Sequence, residues 1–266
     1  MVIQDVLNLF GKVDGEIILK HYFNFNKIDI VLNKNKELEE NQENLIYEIY
    51  EKYKKNYPLQ YILGQWNFYG RDFFTEKNVL IPRFETEILV EKILDLNIAF
   101  KNILEIGVGS GIISITLALE IEDSKIIGVD ISQNAIDLAN RNKEKFNVKN
   151  CEFIKSDLFS NVNKNLKFDL IVSNPPYINL EDMGKLEEKL SYEPEIALYG
   201  GEDGLDFYRA IIEGANEYLS SNGVIAFEIG YNQGESIKDI LKEHNFKDIS
   251  IYKDYNDFDR CIIARR

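Results

Sequence analysis

The stretch Glu105-Ile106-Gly107-Val108-Gly109-Ser110-Gly111 decides how the rest of the chain is read. It closes an apolar run that starts at Ile103 and opens directly onto a second apolar run that starts at Ile112. This order reads as a buried strand, a tight glycine turn and a helix. The glycines let a ligand approach the backbone, and the helix N-terminus offers free N–H groups to an anion. The spacing is Gly-x-Gly-x-Gly; it lacks the Gly-x-Gly-x-x-Gly of dinucleotide folds, and no Lys-Ser/Thr follows as a phosphate loop requires.

Outward from this turn the rhythm repeats. Residues 103–108, 125–130, 151–157 and 168–174 read as buried strands, with helices at 111–120 and 135–146. Residues 224–229, 248–253 and 261–264 supply further strands, with helices at 204–220 and 233–243. Such alternation predicts an α/β domain, a mostly parallel seven-stranded sheet covered on both faces. Ligands of these sheets bind beyond the carboxyl ends of the strands, which places the chemistry after Val108, Asp130, Asp157 and Asn174.

Upstream the pattern differs. Leu45, Ile46, Ile49, Tyr50 and Tyr53 recur at helical spacing until Pro58, and residues 3–10 and 16–23 suit two shorter helices. A small N-terminal helical bundle is expected over 1–64. Aromatic and β-forming residues around Gly70 predict a β-hairpin linker over 65–84, and the domain of the sheet then fills 85–266.

The 266 residues are 45% hydrophobic and 29% charged, which suits a soluble globular protein, and the formal charge is −14. Phosphate-backbone affinity rests on Lys and Arg, so an acidic chain argues for a protein or small-molecule partner and against stable nucleic-acid binding. Two unpaired cysteines and two isolated histidines exclude a disulfide scaffold, a zinc cluster and a Ser-His-Asp triad. No metal site is expected. The absence of a long apolar run or a leader-like N-terminus predicts a cytoplasmic protein without a membrane span.

The strand ends suggest a cofactor. Asp130 lies about twenty residues beyond Gly107, the interval at which an acid meets a ribose diol. Asp157 is placed to accept from an adenine amino group, with Leu158 packing on the ring. With neither a dinucleotide nor a phosphate-loop pattern, S-adenosyl-L-methionine is the best candidate.

The reacting half is Asn174-Pro175-Pro176-Tyr177. Two prolines fix the backbone and remove donors, leaving aimed carbonyl acceptors. The Asn174 side-chain oxygen and the Pro175 carbonyl together suit both hydrogens of a planar –NH₂ group, and Tyr177 offers a face to stack on its plane. A conjugated nitrogen is a poor nucleophile, and two acceptors on its N–H bonds raise its electron density toward a sulfonium methyl. These residues specify a conjugated amine; they do not separate a glutamine amide from the exocyclic amine of adenine or cytosine in DNA or RNA.

A longer ordered set narrows the choice. Pro58-Leu59-Gln60-Tyr61-Ile62-Leu63-Gly64, Phe68-Tyr69-Gly70 and Leu80-Ile81-Pro82-Arg83-Phe84-Glu85-Thr86-Glu87 come first. The glycine turn and the Asn-Pro-Pro-Tyr segment follow, then Gly200-Gly201-Glu202-Asp203-Gly204-Leu205 and Phe227-Glu228-Ile229-Gly230 with Gln233. From about residue 58 onward the chain resembles the HemK/PrmC family of release-factor glutamine methyltransferases. The resemblance implies a Rossmann-like S-adenosylmethionine-dependent methyltransferase domain. It also implies methylation of the glutamine amide in the Gly-Gly-Gln loop of class I peptide chain release factors, with S-adenosyl-L-homocysteine as product. On that reading Gly107, Val108, Gly109, Ser110, Gly111, Asp130, Asp157 and Leu158 hold the cofactor. Asn174, Pro175, Pro176 and Tyr177 hold the glutamine, with Asn174 also beside the methyl donor. The helical N-terminus is the natural second contact for a release factor, and the enzyme is expected to act as a monomer. Phe84 departs from the family, which has proline there, and Arg83, Glu85 and Glu87 suit either a pocket rim or an ion-pair knot.

Overall fold

Two compact units divide the chain in the computed structural model, which describes residues 1–266. Met1–Gln65 with Glu188–Tyr192 form one, and Trp66–Glu187 with Glu193–Arg266 form the other.

The smaller unit is helical: α1 (Ile3–Phe10), α2 (Lys12–Phe23), α3 (Lys27–Leu32), α4 (Glu40–Tyr53) and α5 (Leu59–Leu63). Its core gathers Ile3, Val6, Phe10, Ile18, Leu19, Ile46 and Ile49, all buried. The Phe10 ring meets Tyr50 and Tyr53 edge-on, and the Tyr53 hydroxyl donates to Asp14 Oδ2 at 2.6 Å. The helix α3 was not expected. Its start is an Asn-x-x-Asp box in which the Asn26 side chain accepts from the N–H groups of Ile28 and Asp29, while Asp29 accepts from that of Asn26. The 3₁₀ turn Glu188–Tyr192 joins this unit through Tyr192 Oη donating to the Lys55 carbonyl and Asn56 Nδ2 donating to Glu188.

In the larger unit a hairpin of β1 (Gln65–Phe68) and β2 (Arg71–Phe74) precedes α6 (Glu85–Asp95). Then come β3 (Asn102–Ile106), α7 (Ile112–Glu120), β4 (Lys125–Asp130), α8 (Gln133–Lys145), β5 (Cys151–Lys155) and β6 (Phe168–Ser173). A short α9 (Leu180–Met183) leads to α10 (Asp206–Tyr218), β7 (Leu219–Glu228), α11 (Gly234–Glu243), β8 (Lys247–Lys253) and β9 (Asp259–Arg265). Seven strands make one sheet in the order β5-β4-β3-β6-β7-β9-β8, with β9 antiparallel to both neighbours. The chain moves outward from β3 through β4 to β5, then returns to pair β6 with the other edge of β3. That reversal opens a crevice at the carboxyl ends of β3 and β6, where an α/β sheet binds its ligand.

Alternate residues of each central strand face opposite layers. Ile103, Leu170, Val172 and Ala226 point into a core with α6, α7 and the hairpin; Leu104, Ile106, Ile171 and Phe227 point into a second core with α10 and α11. Each fully buried aliphatic contributes about 1.5–3 kcal/mol of burial. The hairpin expected as a linker belongs by its contacts with this unit. Phe68 and Phe73 are fully buried in the first core. The wholly buried Asn142 of α8 accepts the Phe74 N–H at 2.7 Å and donates to the carbonyls of Phe74 and Ser110. The turn itself, Tyr69-Gly70, has φ of 50° and 74°, the two positive angles of a type I′ hairpin.

Candidate active site

A cavity of about 280 Å³ lies at the reversal between β3 and β6. Gly107 and Gly109 enter it after β3, Asp130 and Ile131 at the end of β4, Asp157 and Leu158 after β5, and Asn174, Pro175 and Pro176 after β6. Val79 and Leu80 form one wall, and Pro194, Ile196 and Ala197 another. Four separate strand ends thus converge on one space.

Asp130 organises the glycine turn. Its Oδ2 accepts the Gly109 N–H at 2.9 Å and its Oδ1 the Ser132 N–H at 2.8 Å. Burial pushes its carboxyl above the usual range while those backbone donors pull it back. Each oxygen keeps lone-pair capacity for a further donor. Leu158 takes a left-handed φ of 46°, uncommon for a residue with a side chain. Ser156 Oγ holds that turn by donating to the Leu158 carbonyl and accepting the Asn161 N–H.

A smaller cavity of about 30 Å³ adjoins the first, lined by Arg83, Thr86, Glu105, Val108, Ser110 and Asn174, among others. Glu105 is wholly buried there. Its Oε2 accepts from the backbone N–H and the hydroxyl of Ser114 in the first turn of α7, where a carboxylate complements the helix dipole. Its Oε1 has no hydrogen-bond partner, and burial pushes the group up to about 8.

The segment after β6 is clamped from beneath. Gln233 Nε2 donates to the carbonyls of Tyr177 and Gly204, and its Oε1 accepts the Gly230 N–H. Ile178 and Gly200 exchange backbone bonds with the strand-like stretch at Leu198 and Ile178 in turn. A Cβ on Gly200 would stand 2.7 Å from the Pro176 carbonyl oxygen and from Tyr177 Cα, so only glycine fits. Asn174 itself donates from Nδ2 to Thr86 Oγ1 at 3.2 Å.

Two anticipated residues lie outside both cavities. Gly111 caps α7 with φ of 84°, and a Cβ there would meet Ile115 and Ala139 at 3.0 and 3.2 Å. It serves the packing of α7 on α8. Tyr177 turns its ring into the second core and its hydroxyl toward Glu228 Oε1 at 3.5 Å, instead of presenting a face to the cavity. Burial and the Glu228 carboxylate push its phenol well above the ordinary range. Val108 and Ser110 line the smaller space only.

Buried polar groups that the strand-end motifs do not reach also stand near the cavities. Thr86, Glu228 and Gln233 carry one sequence signal, their presence in the ordered set of family segments, and Glu193 carries none. Arg83 both lines the smaller cavity and pairs with buried Glu193, while Glu87 accepts the Tyr69 N–H at 2.9 Å. Phe84 is exposed beside Trp66.

The lining fits S-adenosyl-L-methionine. Val79, Ile131, Ala135 and Leu158 line the main cavity with apolar surface that suits an adenine ring, and Asp130 keeps acceptor capacity there that suits a ribose diol. No cluster of His, Cys, Asp or Glu gathers to hold a metal ion.

Comparison with known proteins bears on this arrangement. Residues 83–190 match the methyltransferase small domain family, and residues 11–64 match the PrmC N-terminal domain family. The release factor glutamine methyltransferase of Fusobacterium nucleatum is 45% identical over 96% of this chain and 73% of its own length. That of Clostridium acetobutylicum is 36% identical over 100% of this chain and 95% of its own. Among solved structures, the Thermus thermophilus 16S rRNA N2 G1207 methyltransferase, in complex with AdoMet and guanosine, superposes with a TM-score of 0.55. At 16% identity over 76% of this chain and 49% of that one, the likeness speaks to fold alone.

Proposed function

Because the chain belongs to the release factor glutamine methyltransferases, S-adenosyl-L-methionine-dependent enzymes, we propose that it methylates the side-chain amide of the Gly-Gly-Gln glutamine in class I peptide chain release factors. The observation that carries this reading is the placement of Asn174 and Pro175 on the wall of the cavity whose other strand ends suit the cofactor.

The cofactor supplies an electrophilic methyl group on sulfonium when bound; Gly107, Gly109, Asp130, Asp157 and Leu158 are the residues that hold it. Asn174 Oδ1 and the Pro175 carbonyl grip the two N–H bonds of the glutamine amide. They localise its lone pair on nitrogen, and their bonds strengthen as that nitrogen gains positive charge, so they favour the transition state over the ground state. Pro175 and Pro176 keep these acceptors rigid, which limits reorganisation during the step. No strong base is needed, because an alkylated amide nitrogen is acidic enough to lose its proton to water.

The acidic surface supports a protein substrate over nucleic acid. In the helical unit, Ile28, Val31 and Leu32 of α3 are exposed and offer an apolar contact for the body of the factor. No helix is long and apolar enough to cross a membrane, and cytoplasmic action on a newly made factor fits that.

The test is transfer from labelled S-adenosyl-L-methionine to a purified release factor and to the same factor with its Gly-Gly-Gln glutamine replaced. Label on the first alone is expected. Equal label on both, or label on nucleic acid instead, overturns the assignment.

A further inference from the structure

Behind Asn174 lies a chain of polar groups with a definite direction. Thr86 on α6 and Glu228 at the end of β7 are each 1% exposed. The Thr86 hydroxyl donates to Glu228 Oε2 at 2.6 Å, and Asn174 Nδ2 donates to Thr86 Oγ1 at 3.2 Å. The Glu228 main-chain carbonyl is itself held by Tyr208 Oη at 2.8 Å.

We propose that Thr86 and Glu228 are positioning residues that set the amide orientation of Asn174, so that its oxygen and not its nitrogen serves the methyl-accepting amide. The proposal rests on the acceptor role given to Asn174 above.

The reason is proton counting. A hydroxyl carries one hydrogen. While Glu228 is ionised, that hydrogen is committed to the carboxylate, and Thr86 turns lone pairs toward Asn174. Only the N–H side of the asparagine amide can answer, which leaves Oδ1 as the branch free of Thr86. Were Glu228 protonated, it could donate to Thr86, whose hydrogen would then turn to Asn174 and draw Oδ1 to itself. The –NH₂ would then meet a substrate that brings donors of its own, and the pairing would fail. An apolar residue at position 86 would leave both orientations of the amide equivalent.

The charge state of Glu228 therefore matters. Burial, the largest influence, and Glu85 on α6 oppose its ionised form, while the Thr86 hydroxyl, Arg260 on β9 and Arg83 ahead of α6 favour it. Tyr177 faces Oε1, and Cys261 and Tyr208 complete its surroundings. The balance pushes the Glu228 carboxyl up to about 7, within the range where an enzyme assay can see it.

The test is steady-state kinetics of release-factor methylation across pH for wild type, Thr86→Val, Thr86→Ser, Glu228→Gln and Asn174→Ala, with cofactor affinity by calorimetry. In wild type, kcat should rise with pH through an inflection near that of Glu228. Thr86→Val should lower kcat about tenfold, the worth of one directing hydrogen bond, with cofactor affinity within about twofold. Thr86→Ser should restore both rate and inflection, and Glu228→Gln should abolish the inflection. Adding Thr86→Val to Asn174→Ala should cost nothing further, since the first acts through the second. A valine variant with wild-type kcat, a serine variant as slow as valine, or an inflection that survives in Glu228→Gln overturns the relay. If the valine variant does not fold, the glutamine variant alone decides. Full activity in Asn174→Ala would instead remove the acceptor reading beneath it.

Discussion

Glu193 holds Arg83 and, with the same carboxylate, the backbone before it: one oxygen pairs with the guanidinium and the other accepts the Ile81 N–H at 2.9 Å. Glu193 is buried, its side chain only 2% exposed, while Arg83 is 30% exposed. One acid thus joins the loop that carries Leu80 to the loop that carries Pro194, the two walls of the main cavity. Glu193→Ala leaves Arg83 and the Ile81 N–H without their partner, and should cost about 1–3 kcal/mol of stability after allowance for the exposed Arg83. Calorimetry should also show cofactor binding weakened severalfold. Unchanged melting together with unchanged binding would show that this pair does not hold the walls.

Gly200 is predicted to be intolerant of any side chain. The contact of 2.7 Å between a Cβ and the Pro176 carbonyl involves backbone on both sides, so the substituted loop must move. Gly200→Ala should lower kcat at least about tenfold, because misplacement near 1 Å of a reacting group is costly. Binding of the cofactor, which rests mainly on the strand ends at Gly107, Asp130 and Leu158, should change much less. Parallel loss of both in the same proportion would contradict the separation of the two halves.

The sheet was legible because its code is simple. Runs such as Leu170, Ile171 and Val172 have no polar face, and a turn-forming or polar residue closes the central strands: Gly107 after β3, Asp130 at the end of β4 and Asn174 after β6. The same pattern makes the cavity lining by Asp130, Leu158 and Asn174 legible, since each closes or follows a strand of the sheet. Residues that meet them from a distance were not. Thr86 and Glu228 lie 142 positions apart, and nothing local at either announces a buried hydrogen bond between them. The neighbours of Tyr177 in sequence point to a stacking face; the turn of its hydroxyl toward Glu228 depends on tertiary placement. The hairpin's aromatics give no local sign of which core they enter; Phe68 and Phe73 bury in the core of the larger unit through contacts distant in sequence.

Stability should depend on pH through the buried acids. Burial raises Glu105 from an ordinary 4.5 to about 8 and Glu228 to about 7. The folded protein therefore holds these protons more tightly than the unfolded chain. Their contribution is complete below 4.5, where both states are protonated, is lost progressively as pH rises from there, and is gone above about 7 for Glu228 and about 8 for Glu105. Melting temperature should fall across that window, and Glu105→Gln, which cannot ionise, should show a shallower fall. Identical slopes for the two proteins would refute the account of Glu105.

Asp130→Asn keeps the shape but leaves one acceptor oxygen where Gly109 and Ser132 now use two. One backbone N–H must then face an amide –NH₂. Cofactor affinity is expected to drop about 10–100-fold, the loss of a charge-assisted bond plus a misaligned turn. An affinity within twofold of wild type, measured by calorimetry, would remove Asp130 from the cofactor site.

The most direct measurement is a crystal structure of the enzyme with S-adenosyl-L-homocysteine and a peptide bearing Gly-Gly-Gln. The glutamine amide nitrogen should lie within hydrogen-bond reach, about 3 Å, of both Asn174 Oδ1 and the Pro175 carbonyl oxygen, its open side toward the sulfur. A glutamine seated elsewhere, or an Asn174 that presents its nitrogen to the peptide, would contradict the account.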